Sequence, residues 1–205
     1  GIAGLKPTYG RISLKGCFPL SGTLDSVGPM TRTVEDAALL FEALAGPDAD
    51  DPATLIAPAL EADAWRRLHV EGMRVAVMRE EDFPIAIDPD CQAAYDRAKA
   101  ALADLGAHLV PVELPFSFNE LTERNGRIIA AESYAIHRDY IHDERLAIGP
   151  YVRQRILGGA NISAKDYLAT LADHRRMKKV YDAFMQPYGA LLTPTVPFPA
   201  VSLAE

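Results

Sequence analysis

Met73-Arg74-Val75-Ala76-Val77-Met78, then Asp88-Pro89 opening a helical run, then Ala107-His108-Leu109-Val110-Pro111-Val112 form the stretch that decides the fold of this chain. Both hexapeptides are short, apolar and bounded by turn formers, which predicts strands. Between them Asp88 is a helix N-cap with proline at the first helical position. Cys91, Ala94, Tyr95, Ala98, Leu102 and Leu105 then recur at helical spacing on one face, and Gly106 supplies the stop. Strand, helix and strand within about 40 residues make one βαβ unit, so the strands are expected to be parallel, with a right-handed crossover, and the core α/β.

Toward the N-terminus, residues 1 to about 30 are mostly Gly, Pro, Ser, Thr and short apolar pairs, which predicts surface-lying loops with one or two short strands. Thr33 and Asp36 make a variant capping box. Val34, Ala37, Ala38, Phe41, Leu44 and Ala45 give an apolar helical stripe that Gly46-Pro47 ends. The acidic, proline-bearing run 48–58 reads as a surface loop leading to a short helix around Trp65. Toward the C-terminus a long helix passes through Ile128, Ala131, Ala135 and Ile136, a shorter one covers 151–157, and a third runs from Ser163, paired with Asp166, to about Met185. The third carries Tyr167, Leu168, Leu171, Val180, Tyr181 and Phe184 on one side, and Arg175, Arg176, Lys178 and Lys179 as a solvated face. Ala190-Leu191-Leu192-Thr193-Pro194-Thr195 is expected to be a short buried strand entering a proline-rich exit.

The 205 residues are 49% hydrophobic and 24% charged, enough to bury a sizeable core and to exclude disorder as the main state. Lys and Arg number 21 against 28 Asp and Glu, a net charge of -7, so no direct nucleic-acid partner is expected. Cys17 and Cys91 are too few for a disulfide framework or a cysteine-rich zinc site; both are expected as buried thiols in a reducing, cytoplasmic compartment. No apolar run approaches the ~18 to 20 residues that span a bilayer, so no membrane partner is expected. The sequence opens at Gly1 without a cap or leader and stops at Val201-Ser202-Leu203-Ala204-Glu205 without a closing helix, which reads as a segment cut from a longer protein.

His137, Asp139, His142 and Asp143 are metal-ligating residue types. On a helix, however, His137 and His142 sit about 140° apart around the axis and cannot chelate one ion from one face. Neither a metal nor a cofactor is expected. Glu80-Glu81-Asp82 follows the strand at Met78 where a nucleotide fold needs a glycine-rich turn, and these carboxylates repel a pyrophosphate. Ser21 and Ser26 sit in no Gly-x-Ser-x-Gly elbow, and His69 and His108 read as satisfied structural imidazoles. Motifs within the chain reveal no catalytic centre.

Two blocks, Gly4-Leu5-Lys6-Pro7-Thr8-Tyr9-Gly10-Arg11 and Thr23-Leu24-Asp25-Ser26-Val27-Gly28-Pro29-Met30-Thr31-Arg32-Thr33-Val34-Glu35-Asp36-Ala37-Ala38, resemble in order and separation the amidase signature family just after its serine-rich core. Gly149-Pro150-Tyr151-Val152-Arg153-Gln154-Arg155 and Leu191-Leu192-Thr193-Pro194-Thr195 resemble later segments, so the resemblance extends over nearly the whole chain. It implies an α/β fold with a mixed β-sheet flanked by helices, present across residues 1–205 as a partial domain without the N-terminal catalytic portion and the C-terminal strands. It also implies hydrolysis of a small-molecule carboxamide by a serine nucleophile, a second serine on a cis peptide and a lysine base, with backbone N–H groups holding the oxyanion.

In that family these groups precede the block with which the chain starts. No catalytic residue is therefore assigned, and Lys6 and Lys15 are not promoted to the base. What remains is scaffold and part of an acyl pocket. Asp25 is implied as an acceptor of backbone hydrogen bonds that fixes the loop behind the nucleophile. Arg155 aligns with a pocket arginine of glutamine-using amidotransferase subunits, where a guanidinium pairs with a substrate carboxylate; an exposed helix charge is the other reading. Tyr134 is a pocket candidate or a buried aromatic. The expected function is that of a stand-alone amidohydrolase. The alternatives are a glutamine-hydrolysing subunit of a tRNA-dependent amidotransferase and a non-catalytic structural domain, with a homodimer among the expected assemblies. Alone, the segment is expected to hydrolyse no amide and, with sheet edges unpaired, to dissolve poorly or oligomerise.

Overall fold

The computed structural model describes residues 2–202. Gly1, Leu203, Ala204 and Glu205, on which the reading of the chain ends partly rests, lie outside the described residues. In chain order the elements are β1 (Ala3–Gly4), β2 (Met30–Thr31), α1 (Val34–Leu44), α2 (Pro52–Leu55), β3 (Arg74–Met78), α3 (Pro89–Asp104), β4 (His108–Val112), α4 (Phe118–His137), α5 (Pro150–Leu157), α6 (Ala164–Met185) and β5 (Ala190–Leu192). They fall into two compact units, Gly1–Leu68 with Asn125–Leu168, and His69–Arg124 with Ala169–Glu205.

The second unit is built on a three-stranded sheet of order β4-β3-β5. β3 runs parallel to both neighbours, with Val75 opposite Leu109 on one side and Ala190 on the other, so β3, α3 and β4 form the expected parallel unit. Val75, Ala76, Val77 and Met78 are all buried, as a continuous apolar run in a central parallel strand requires. Asp88 caps α3 by accepting the Asp90 N–H at 2.9 Å, and Gly106 leaves the helix at φ +86°. Tyr95 is the buried residue of α3. Its hydroxyl lies 3.0 Å from the carbonyl of Met78 and 3.2 Å from that of Leu192, tying the helix to the carboxyl ends of β3 and β5. Ala94 and Leu105, expected on the inner face, are exposed: Ala94 lies about 100° around the axis from Tyr95, the residue that is covered, and Leu105 is the C-cap past the last helical residue. β5 is half-buried rather than buried, since it pairs with β3 alone among the described residues. Arg175, Arg176, Lys178 and Lys179 are exposed, and Arg176 pairs with Asp173.

In the first unit β1 pairs antiparallel with β2, and the Leu5 N–H continues the contact to the Pro29 carbonyl at 3.0 Å. A Cβ on Gly28 would stand 2.1 Å from the Leu5 oxygen, so only glycine lets these two stretches meet backbone to backbone. The Thr33 hydroxyl accepts the Asp36 N–H at 3.0 Å and starts α1 as the capping pattern predicts. The apolar stripe of α1 is less buried than its period suggests: Ala37 is buried, Ala38 and Phe41 are half-buried, and Val34 is 78% exposed. The expected loop 48–58 contains one helical turn, α2, because Asp51-Pro52 is itself a cap followed by an N1 proline; Asp51 accepts the Ala53 N–H at 3.1 Å. A short 3-10 turn, Ala64–Arg67, surrounds Trp65. Ile12, Ile128, Ile141 and Ile156 form the apolar centre.

Cys17 is exposed and Cys91 half-buried, which corrects the expectation of two buried thiols. Cys17 closes a tight turn with the Leu14 carbonyl at 3.0 Å, a geometry that sets it on the surface. Among the described residues no helix is long and apolar enough to cross a membrane, and no group of three or more His, Cys, Asp or Glu is placed to hold a metal ion.

Candidate functional site

The 18–25 loop of the first unit lacks regular structure yet is tied down at nearly every second residue. From within, Asp25 Oδ2 accepts the N–H groups of Leu20 at 2.8 Å and Ser21 at 3.0 Å, while the Ser21 carbonyl accepts those of Leu24 and Asp25. The Tyr9 hydroxyl donates to the Gly22 carbonyl at 2.9 Å. From α4, Glu132 accepts the Ser21 hydroxyl at 2.5 Å and the Thr23 N–H at 2.9 Å on one oxygen and the Thr23 hydroxyl on the other. The Tyr167 hydroxyl on α6 donates to that second oxygen at 2.5 Å.

One turn further along α4, His137 secures the front of the loop. Its Nε2 lies 2.9 Å from the Pro19 carbonyl, which can only accept, so Nε2 carries the proton and Nδ1 accepts the Tyr140 hydroxyl at 2.5 Å. The ring stacks on Phe18 with centroids 5.3 Å apart and planes 8° from parallel.

Burial by itself pushes the Glu132 carboxyl up. Hydrogen bonds from Ser21, Thr23 and Tyr167 outweigh it and hold the group below the usual glutamate range. The tyrosines shift the opposite way: burial and then the hydrogen bond to Glu132 raise Tyr167, while burial and then the charges of Asp51, Glu132 and Asp25 raise Tyr9. The arrangement is thus an ionised acceptor ringed by protonated donors. Ser21 is fully buried, its proton committed to Glu132 and its oxygen accepting the Leu24 N–H at 3.2 Å, so it presents no face to a substrate.

Of the residues singled out in the sequence, Asp25 belongs to this loop. Tyr134 is half-buried on α4 rather than enclosed; its hydroxyl is 3.4 Å from His142 Nε2 and its ring meets His142 edge-on. Two positions from Glu132, it leaves the helix on a different side. Arg155, on α5, is exposed and makes no hydrogen bond or ion pair among the described residues. No hydrogen bond joins Asp25, Tyr134 and Arg155 to one another. Asp143 pairs with Arg145 at 2.8 Å and Asp139 with Arg138 at 3.5 Å, so the metal-type residues near His137 are used separately. The imidazoles of His69 and His108 are exposed and make no side-chain hydrogen bond among the described residues, contrary to the reading of satisfied imidazoles: one lies in an open loop and the other begins an edge strand, where only its backbone N–H is bonded, to the Met73 carbonyl at 2.8 Å. Glu132, Thr23, Tyr167 and His137 escaped the sequence reading as a group. The available signal was a lone carboxylate inside Ile128-Ile129-Ala130-Ala131-Glu132-Ser133-Tyr134, where burial demands partners.

A family model described as Amidase matches residues 1–205. The chain is 34% identical over 203 residues to an amidase of Pseudomonas putida, a match that covers 98% of this chain and 43% of that protein. It is 33% identical over 227 residues to a subunit of the glutamyl-tRNA(Gln) amidotransferase of Myxococcus xanthus, with 98% of this chain and 46% of that protein covered. Among solved structures it superposes on a crystal structure of an amidase with a TM-score of 0.79 at 28% identity, over 100% of this chain and 43% of that one. The chain therefore spans a little under half the length of the curated relatives it matches.

Proposed function

This chain belongs to the amidase family, and from that premise we propose that the protein carrying it hydrolyses the carboxamide of a small molecule, with residues 1–205 supplying scaffold and part of the substrate pocket. The family match along the whole chain carries this reading. On this reading the nucleophile and base are not Ser21, Lys6 or Lys15: Ser21 is buried and committed, Lys6 donates to the Pro7 carbonyl at 2.8 Å, and Lys15 pairs with Asp50. On this reading residues 1–205 are a partial domain, and the reactive serine, bridging serine and lysine come from polypeptide outside it. Asp25 holds the loop behind the nucleophile, and Arg155 and Tyr134 face the substrate. The free thiols of Cys17 and Cys91 favour a reducing cytoplasm. A homodimer is the proposed assembly, with no direct nucleic-acid or membrane partner.

The unpaired Arg155 favours a second reading, the glutamine-hydrolysing subunit of a tRNA-dependent amidotransferase, because a free guanidinium suits the α-carboxylate of an amino-acid substrate. The test is to treat the full protein with a covalent serine-directed probe, map the label, and measure ammonia released from a panel of carboxamides. Labelling outside residues 1–205 together with ammonia release is expected. Label on a serine within them, or no release from any carboxamide, overturns the proposal. Glutaminase activity that appears only with a partner subunit selects the second reading.

A further inference from the structure

We propose that Glu132 is a positioning residue for this hydrolysis, acting through the 18–25 loop; the inference rests on the hydrolase reading above. The contacts from α4 fall on alternate residues of the loop, while the backbone of Leu20 and Gly22 between them is held by Asp25 and Tyr9. Pro19 is held by His137, Ser21 and Thr23 by Glu132, and Asp25 closes the loop on itself. The residues between, Phe18, Leu20 and Gly22, are exposed, Phe18 at 81% and Leu20 at 40%. A segment that serves packing turns its apolar residues inward. This one buries a serine and displays a phenylalanine and a leucine, so it is a wall held at a set height above α4. Irregular backbone that is fixed this firmly and carries its apolar groups outward offers a contact surface, to a ligand or to the polypeptide outside residues 1–205 that brings the nucleophile.

Glu132 is the point on which the wall turns. Among the described residues it is the sole acceptor for the Thr23 N–H, and it takes the hydroxyls of Ser21, Thr23 and Tyr167, four donors on two oxygens. Its chemical role is set by what it lacks: both oxygens are occupied and the group is held ionised, so it neither gives nor takes a proton. Glutamine at this position can keep the geometry. Its amide oxygen replaces the oxygen that receives Ser21 and the Thr23 N–H, and its NH2 donates to the Thr23 and Tyr167 hydroxyls, which rotate to accept. Leucine, of similar size, strands the Thr23 N–H and releases the loop.

The experiment compares the full parent protein with Glu132→Gln, Glu132→Leu, Thr23→Val and, as a control on the exposed start of the same helix, Glu120→Gln. Active sites are titrated with a covalent serine probe, and kcat and KM are measured per titrated site on a primary carboxamide. Glu132→Gln is expected within about threefold of the parent, as is the control. Glu132→Leu is expected to lose on the order of ten- to a hundredfold in kcat per site, the scale on which misplacement costs rate, and Thr23→Val to fall between. An unchanged kcat per site in Glu132→Leu, with only the melting temperature lowered, overturns the proposal, as does Glu132→Gln falling as far as Glu132→Leu. Should Glu132→Leu fail to fold, Thr23→Val decides by the same measure, and an unchanged kcat overturns the idea. A parent that hydrolyses no carboxamide sinks the hydrolase reading and this inference with it; an active parent with unaltered variants sinks this inference alone.

Discussion

Arg124 directs Nε and Nη2 at a single carboxylate oxygen of Asp173, each at 2.6 Å, while its Nη1 is buried without a hydrogen-bond partner. The two ends of the pair are unequally sheltered, the arginine side chain being 10% exposed and the aspartate 36%. Removing the partners one at a time should therefore have unequal effects. Asp173→Asn leaves a sheltered guanidinium unpaired and is expected to cost about 1–3 kcal/mol, less than the ~3–5 of a fully buried pair because water reaches the carboxylate. Arg124→Met removes both the charge and the orphaned donor and is expected to cost less than Asp173→Asn. Denaturant midpoints of the two variants decide it, and equal losses refute the argument.

Acid should weaken the first unit through Glu132. Its folded carboxyl titrates below its ordinary value, so the contribution is complete above the ordinary glutamate range and disappears as pH falls through the lower folded value. Tyr167 has the opposite sign: raised by burial and then by Glu132, it contributes fully below the ordinary tyrosine value and fades as pH climbs through the higher folded one. Melting temperatures measured from about pH 3 upward should fall more steeply into acid for the parent than for Glu132→Gln, which has no proton to gain there. Parallel curves for the two proteins count against it.

Adjacent glycines just beyond α5 should respond oppositely to alanine. A Cβ on Gly159 falls 1.9 Å from the Ala130 carbonyl oxygen and 2.7 Å from Tyr134 Cβ, so Gly159→Ala forces the backbones apart at a cost of about 1–3 kcal/mol. At Gly158 nothing lies within 4 Å and φ is -56°, so Gly158→Ala is expected to be neutral or slightly stabilising. Thermal unfolding of the pair provides the comparison.

Arg155→Met is expected to raise KM about ten- to a hundredfold for amides that carry a carboxylate, with kcat little changed, and to leave uncharged amides alone, which is the signature of a lost binding contact. Steady-state kinetics on one substrate of each kind checks it. An equal effect on both returns Arg155 to the status of a surface charge.

The β3–α3–β4 unit was legible because its signals are local: Asp88-Pro89 starts a helix, Gly106 ends one, and the strands advertise themselves by composition. The same local logic held for α2 in Asp51-Pro52, where the acidic composition of the segment obscured it. Period alone was weaker. It identified the apolar side of α1 but not what covers Val34 or Leu44, which remain exposed. The loop around Ser21 was illegible for a different reason. Its principal partner is 111 positions away, and a glutamate on a helix reads as solvated until the tertiary structure brings hydroxyls and an N–H to it. Arg155 and Tyr134 stood out only through resemblance, since neither has a pattern of neighbours that sets it apart from an ordinary helix residue.

Pro111 stands opposite Val77 in β4, and proline has no N–H to offer a neighbour. The three-stranded layer therefore has one blunted margin and one receptive margin. Among the described residues, lateral association of this segment in a crowded refolding mixture has its open seam along β5, which lacks any such block, and not along β4.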